Sequence, residues 1–191
     1  MLFLLLLALP ATAQALTFST VILDAGHGGH DGGAAWYGLV EKRLCLDVAQ
    51  RVERLLKAKG LKVVMTRRTD TFVSLDDRAW IANRNSRSVF VSIHFNANRT
   101  TSIHGMEGYY RSSNGKILAG SILRSMDRRV TGKYRGLISR NFKVLRSTKM
   151  PAAVIECGYI SNRTEANRCA TPSHRQAIAE GIAAGILAVR G

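Results

Sequence analysis

Acidic side chains are scarce in this sequence. Thirteen Asp and Glu stand against 28 Lys and Arg, giving a formal charge of +15 and a pI near 10.6. That imbalance disfavours cationic partners and favours anionic ones: nucleic acid, anionic lipid or an acidic cell-wall polymer. The basic residues are spread along the chain instead of forming one block, so the charge alone also fits a generally cationic surface. Cysteine is nearly absent. Cys45, Cys157 and Cys169 are too few for a disulfide framework, and none sits in a Cys-x-x-Cys pair, which argues against thiolate zinc ligation. Cys45 lies among apolar neighbours and reads as a small buried hydrophobe, while spacing leaves open whether Cys157 and Cys169 pair. There is no RNP-like, helix-turn-helix or zinc-finger pattern, so a nucleic-acid partner is not expected. Internal repeats and linkers are missing as well, and 191 residues suffice for one ordinary domain but not comfortably for two.

Long apolar runs are missing too, apart from residues 2–9 at the very start. Those eight residues, a break at Pro10 and small residues at Ala13 and Ala15 form the pattern of a signal peptide cleaved after Ala15. The run is too short to span a bilayer, and no Lys or Arg precedes it. The expectation is an exported protein, periplasmic or extracellular, with residues 1–15 as leader and residues 16–191 as one catalytic domain.

What the chain does have is a glycine loop. Val21-Ile22-Leu23-Asp24 is an apolar run ending in a carboxylate, followed by His27 among Gly26, Gly28, Gly29, Gly32 and Gly33. Five glycines in eight positions suggest left-handed turns or close backbone approach around an imidazole. A long amphipathic helix is predicted next, from about Leu39 to Lys59, with Leu44, Cys45, Val48, Val52, Leu55 and Leu56 on its apolar stripe. One turn back along that stripe stands Glu41, a carboxylate on the core line. Strands are predicted at Leu61–Arg67, Val89–His94, Gly105–Tyr110, Phe142–Leu145 and Ala152–Glu156. Helices are predicted from the N-cap Ser74 to about Asn85, over Lys116–Arg129, over Ser161–Asn167 and over Ser173–Val189. The succession strand, helix, strand, helix, strand marks an α/β fold with parallel neighbours.

Three apolar strands thus lead into His27, His94 and Glu156, and one helix begins near Glu41. Ligands of open α/β sheets sit beyond the carboxyl ends of the strands, so these groups should share one rim. Two imidazoles and a carboxylate are a common ligand set for catalytic zinc, and a further carboxylate beside it can take a proton from water. Spacing does not settle the assignment: His27 and Glu41 are 14 residues apart, and a histidine at a strand end is readily satisfied by a backbone hydrogen bond alone.

The strings Leu23-Asp24-Ala25-Gly26-His27-Gly28-Gly29, Val40-Glu41-Lys42, Ser92-Ile93-His94-Phe95-Asn96-Ala97 and Lys149-Met150-Pro151-Ala152 through Val154-Ile155-Glu156-Cys157-Gly158-Tyr159-Ile160-Ser161-Asn162 resemble, in that order, the zinc-dependent N-acetylmuramoyl-L-alanine amidases of the amidase 3 type. The resemblance runs from Val21 to about Leu187. It implies a twisted, mostly parallel or mixed sheet with helices on both faces, that His27, Glu41 and His94 bind Zn²⁺, that Glu156 is the catalytic carboxylate, and that the substrate is peptidoglycan; a monomer is expected. Two rival readings are a non-catalytic wall-binding protein on the same fold and a zinc peptidase cutting within stem peptides.

The sequence also departs from that pattern. Asp31-Gly32-Gly33-Ala34 stands where the family usually has Asp-Pro-Gly-Ala, and Phe95, where a small residue is common, is expected to narrow the cleft or to alter which peptide stems fit. Val130–Asn141 is too short for the helical insertion that occludes the zinc in some relatives, which implies an open site. His30 reads as a solvated loop residue, and His104 and His174 as surface residues.

Overall fold

The computed structural model describes residues 15–191, so the expected leader lies almost wholly outside the described residues. The apolar run at the head of the glycine loop forms β1 (Thr20–Ala25), buried at every position. After the loop, β2 (Ala35–Trp36) and β3 (Leu39–Val40) make a small antiparallel hairpin that feeds directly into α1 (Glu41–Lys57). The helix therefore starts two residues later than its apolar stripe suggests, with Glu41 as its first residue. Gly60, at φ +74°, carries the chain out of the helix end towards β4 (Lys62–Met65).

The remaining elements are α2 (Leu75–Asn83), β5 (Ser88–Asn96), β6 (Met106–Tyr110), α3 (Ser113–Asp127), β7 (Tyr134–Ser139), α4 (Lys143–Ser147), β8 (Ala152–Tyr159), α5 (Arg163–Ala170) and α6 (Pro172–Ala188). Ser74 caps α2 as predicted, its Oγ accepting the Asp77 N–H at 3.1 Å. Six strands form one sheet in the order β4-β1-β5-β8-β6-β7. Most neighbours are parallel; β6 runs antiparallel to β8, which makes the sheet mixed.

Alternation along the strands assigns the two faces. Val21, Leu23, Val91, Ile93, Ala153 and Ile155 join the large core beneath α1, α3 and α6, and Ile22, Phe90 and Val154 join a smaller one with Ala82 of α2 and Val144 and Leu145 of α4. Each fully buried Ile or Phe here contributes roughly 1.5–3 kcal/mol. Helices thus cover both faces, as expected.

Two local expectations fail. Phe142–Leu145 is not a strand: Phe142 is the N-cap of α4, and Val144 and Leu145 both turn into the smaller core. The strand in this region is β7 instead, within the Val130–Asn141 segment expected to connect the Lys116–Arg129 helix to Phe142. All three cysteines are buried free thiols.

Candidate metal centre

His27 belongs to no element, and the loop that holds it is strained and pinned. Its own φ is +58°, unusual for a non-glycine residue, and Gly28, Gly29 and Gly33 also have positive φ. Two buried arginines hold the loop. Arg78 donates from Nη1 to the Ala25 carbonyl (2.7 Å) and from Nη2 to that of His27 (2.8 Å), while Arg67 donates to the carbonyls of Ala25 (2.9 Å), Gly26 (2.7 Å) and Lys42 (2.8 Å). Buried carbonyls at a strand end require donors, and two guanidinium forks supply them. Arg78 also meets Asp24 at 2.6 Å, and Thr66 and Ser92 give that carboxylate two further hydrogen bonds.

Glu41 enters from the opposite side, at the start of α1. Its Oε2 accepts the Ala34 N–H at 2.9 Å while its backbone N–H donates to the Ala34 carbonyl at 2.8 Å, a reciprocal clasp between loop and helix. The other oxygen, Oε1, lies 3.0 Å from His27 Nε2 and 3.0 Å from His94 Nδ1. His94 comes from β5, where Phe95 buries its ring on the opposite face of the strand. The Phe95 side chain packs into the large core while the residue also lines the cavity beside His94, and its N–H donates to Glu41 Oε1 at 3.2 Å.

The structure brings all three predicted ligands together: their ligand atoms lie within 4.8 Å of one another. The donor set fits a small divalent cation. His27 Nδ1 is engaged by Asp31 at 2.9 Å, which fixes the ring and turns Nε2 to the centre. Space is reserved as well. A Cβ on Gly26 would stand 2.3 Å from the His94 ring, and one on Gly33 would stand 2.6 Å from Glu41 Oε2.

Electrostatics follow the same geometry. Burial opposes charge on Glu41, yet the two histidines hold its carboxyl well below the ordinary range. Burial likewise disfavours a charged His27 or His94, but hydrogen bonding to Glu41 together with attraction to Glu41 and, for His27, Asp31 or, for His94, Glu156 outweighs it and raises both. Glu156 behaves in the opposite way. Burial pushes it up to about 7, against attraction from His94 and with added repulsion from Glu41 and Glu107. Its Oε2 is buried without a hydrogen-bond partner, and the residue lines the same cavity, about 470 Å³, as His27, Glu41 and His94. Leu75 and Phe142, both exposed, form apolar shoulders of that cavity.

Of the remaining histidines, His30 is exposed and stacks on Phe72, His104 is exposed, and His174 is half-buried. Sequence reasoning missed Asp31, Arg67 and Arg78. Asp31 had a readable signal, a carboxylate four residues after a loop histidine; the two arginines had none, because their partners are carbonyls that only the fold assembles. It also missed Glu107, a buried carboxylate that is the cross-strand partner of Glu156 and is held by Arg135 and Tyr109.

An open α/β sheet with a His-Glu-His centre and a free carboxylate at its rim defines a class, the metal-dependent hydrolases. Within it, residues 21–188 match the sequence model of the Amidase_3 family, N-acetylmuramoyl-L-alanine amidase, and the chain belongs to that family. It is 35% identical over 167 residues to N-acetylmuramoyl-L-alanine amidase LytC of Bacillus subtilis (strain 168), covering 85% of this chain and 34% of that protein. The chain thus spans about a third of that relative's length. Among solved structures, N-acetylmuramoyl-L-alanine amidase AmiC2 of Nostoc punctiforme superposes with a TM-score of 0.85 at 38% identity, covering 88% of this chain and 94% of that one. The catalytic domain of CwlV, an N-acetylmuramoyl-L-alanine amidase from Bacillus (Paenibacillus) polymyxa var. colistinus, gives 0.86 at 37% identity, with 91% and 100% covered. No helix among the described residues is long and apolar enough to cross a membrane.

Proposed function

We propose that the chain is an exported zinc amidase that cleaves the amide bond between the lactyl group of N-acetylmuramic acid and the L-alanine that begins the stem peptide of peptidoglycan. One observation carries the reading: His27, Glu41 and His94 converge beside Glu156, a buried carboxylate with an unpartnered oxygen, in a single cavity. Family membership supports the choice of bond, and the geometry supports the roles proposed for these residues.

His27 Nε2, Glu41 Oε1 and His94 Nδ1 are the atoms that would hold the ion. Zinc at such a centre supplies Lewis acidity, polarising the scissile carbonyl and acidifying water. Asp31 keeps the His27 ring oriented, and Ala34 keeps one Glu41 oxygen occupied so that the other faces the centre. Glu156 takes a proton from the attacking water and returns it to the leaving amine of L-alanine; a proton affinity near neutrality suits both halves of that exchange. Leu75 and Phe142 give the cleft an apolar margin that limits water around the reacting bond.

Hydrolysis of purified sacculi before and after chelation, with the released ends identified by mass spectrometry, tests this reading. New L-alanine amino termini that vanish with the chelator are expected. Fragments cut inside the stem would identify a peptidase instead, and metal binding without hydrolysis would identify a wall-binding protein.

A further inference from the structure

The basic residues are spread along the chain, but the acidic residues that would balance them are not. Residues 108–155, from β6 through α3, β7 and α4 into β8, hold eleven Lys and Arg and a single acidic residue, Asp127. Arg135 pairs with Glu107 and Lys143 with Asp76; the other nine have no carboxylate within 4.0 Å among the described residues. Around α1 the pattern is the reverse, with Asp47 serving Arg51 and Arg175, and Glu53 serving Lys57 and Arg68.

The unbalanced charge has a shape. Lys116, Gly120, Arg124 and Arg128 recur every four residues on α3 and therefore share one helix face, each step about 6 Å along the axis. That face lines a groove of about 470 Å³ with Leu137 of β7 and Val189 at the end of α6. Gly120 keeps the row continuous: a Cβ there would stand 3.1 Å from Arg124 Nη1 and 3.2 Å from Leu137 Cδ1. Neither feature serves the helix. Interior glycine costs about 1 kcal/mol against alanine, and like charges four apart cost a few tenths more. The groove lies along the outer edge of the sheet, whereas the metal centre sits at the rim of β1 and β5.

We propose that this α3–β7 edge is an anchoring site for the carboxylate-bearing wall polymer, holding peptidoglycan beside the stretch being cut. The proposal rests on the amidase reading, from which it takes its occupant. Stem peptides present free carboxylates along a glycan strand, and an unneutralised cation row meets them through contacts that salt weakens over about 8 Å at physiological ionic strength.

The test uses the full chain with zinc bound and sacculi stripped of covalently attached phosphate polymers. Lys116→Gln, Arg124→Gln and Arg128→Gln together should reduce co-sedimentation at least fivefold and flatten its salt dependence. Cleavage of a short soluble muramyl peptide should stay within twofold of the parent. A control triple, Arg54→Gln, Lys59→Gln and Lys62→Gln, removes the same charge at the β4 end and should leave binding unchanged. Equal loss in both triples would overturn the proposal in favour of diffuse surface charge. Unchanged binding in the α3 triple, or binding that requires the phosphate polymers or appears equally on anionic vesicles, would overturn it too. A parent chain that binds stripped sacculi through α3 yet leaves the soluble substrate uncut would instead overturn the amidase reading and leave the anchoring site standing.

Discussion

His94 and Glu156 are register partners in the parallel pair β5–β8. Residues level with each other on neighbouring strands project from the same face, so one pairing delivers an imidazole of the candidate metal cluster and the proposed proton carrier to one spot. The apolar runs before each of them are the anchors of that register, since a slip of one residue would send both side chains into the large core.

Glu156→Gln keeps the shape of that carboxylate and removes its basicity. Metal content should remain as in the parent, and hydrolysis should fall by about 10²–10⁴-fold, the usual worth of general acid–base catalysis. Metal analysis beside a sacculus assay checks both. His94→Ala should lose metal and activity together, and a Gln variant that still cut at the parent rate would remove Glu156 from the mechanism.

Arg78 holds the loop that carries His27 while neutralising Asp24. Arg78→Met strands a buried carboxylate and frees the Ala25 and His27 carbonyls, so a loss of about 3–5 kcal/mol is expected in denaturant unfolding. Arg78→Lys restores charge without the fork and should fall between the two. Because the loop positions the proposed ligand His27, metal affinity measured by chelator competition should drop in the same order. Affinity unchanged in both variants would limit Arg78 to a structural role.

Asp24 also sets an acid limit. Burial would raise its pKa, but attraction to Arg78 and the hydrogen bonds from Ser92 and Thr66 hold it below 3.8, the ordinary value. A group depressed on folding contributes stability that is complete above its unfolded value and lost as pH falls through the folded one. Unfolding free energy should therefore decline below about pH 4 as this group protonates, and Asp24→Asn, though less stable near neutrality, should show a shallower acid limb. Denaturant titrations across pH 2–7 would show whether the two slopes differ.

The candidate site was largely legible in the sequence because His94 and Glu156 close apolar runs and His27 follows one by three residues. Val21–Asp24, Val89–His94 and Ala152–Glu156 are buried on both faces, and such segments announce themselves without help from the rest of the chain. Glu41 was legible as a carboxylate on a helix's core line. Phe142–Leu145 misled because two adjacent apolar residues suit a strand and a short helix equally. The β7 strand was hidden for a different reason: Tyr134–Ser139 is half exposed, nowhere fully buried, and contains Gly136 at φ +109°, so it has neither alternation nor a buried run. Arg67 and Arg78 were invisible because a buried guanidinium and a solvated one look alike in a sequence.

The outermost position of β7 has one more implication, for how copies of this chain meet. A terminal strand leaves half its backbone hydrogen-bonding groups unanswered and invites a neighbour's strand to complete them. Here that strand carries Arg135, is followed directly by Arg140, is interrupted at Gly136, and is irregular in register where it joins β6 between Met106 and Glu107. Two such edges brought together would align like charges along a kinked ribbon, so the protein carries its own guard against sheet-to-sheet self-association.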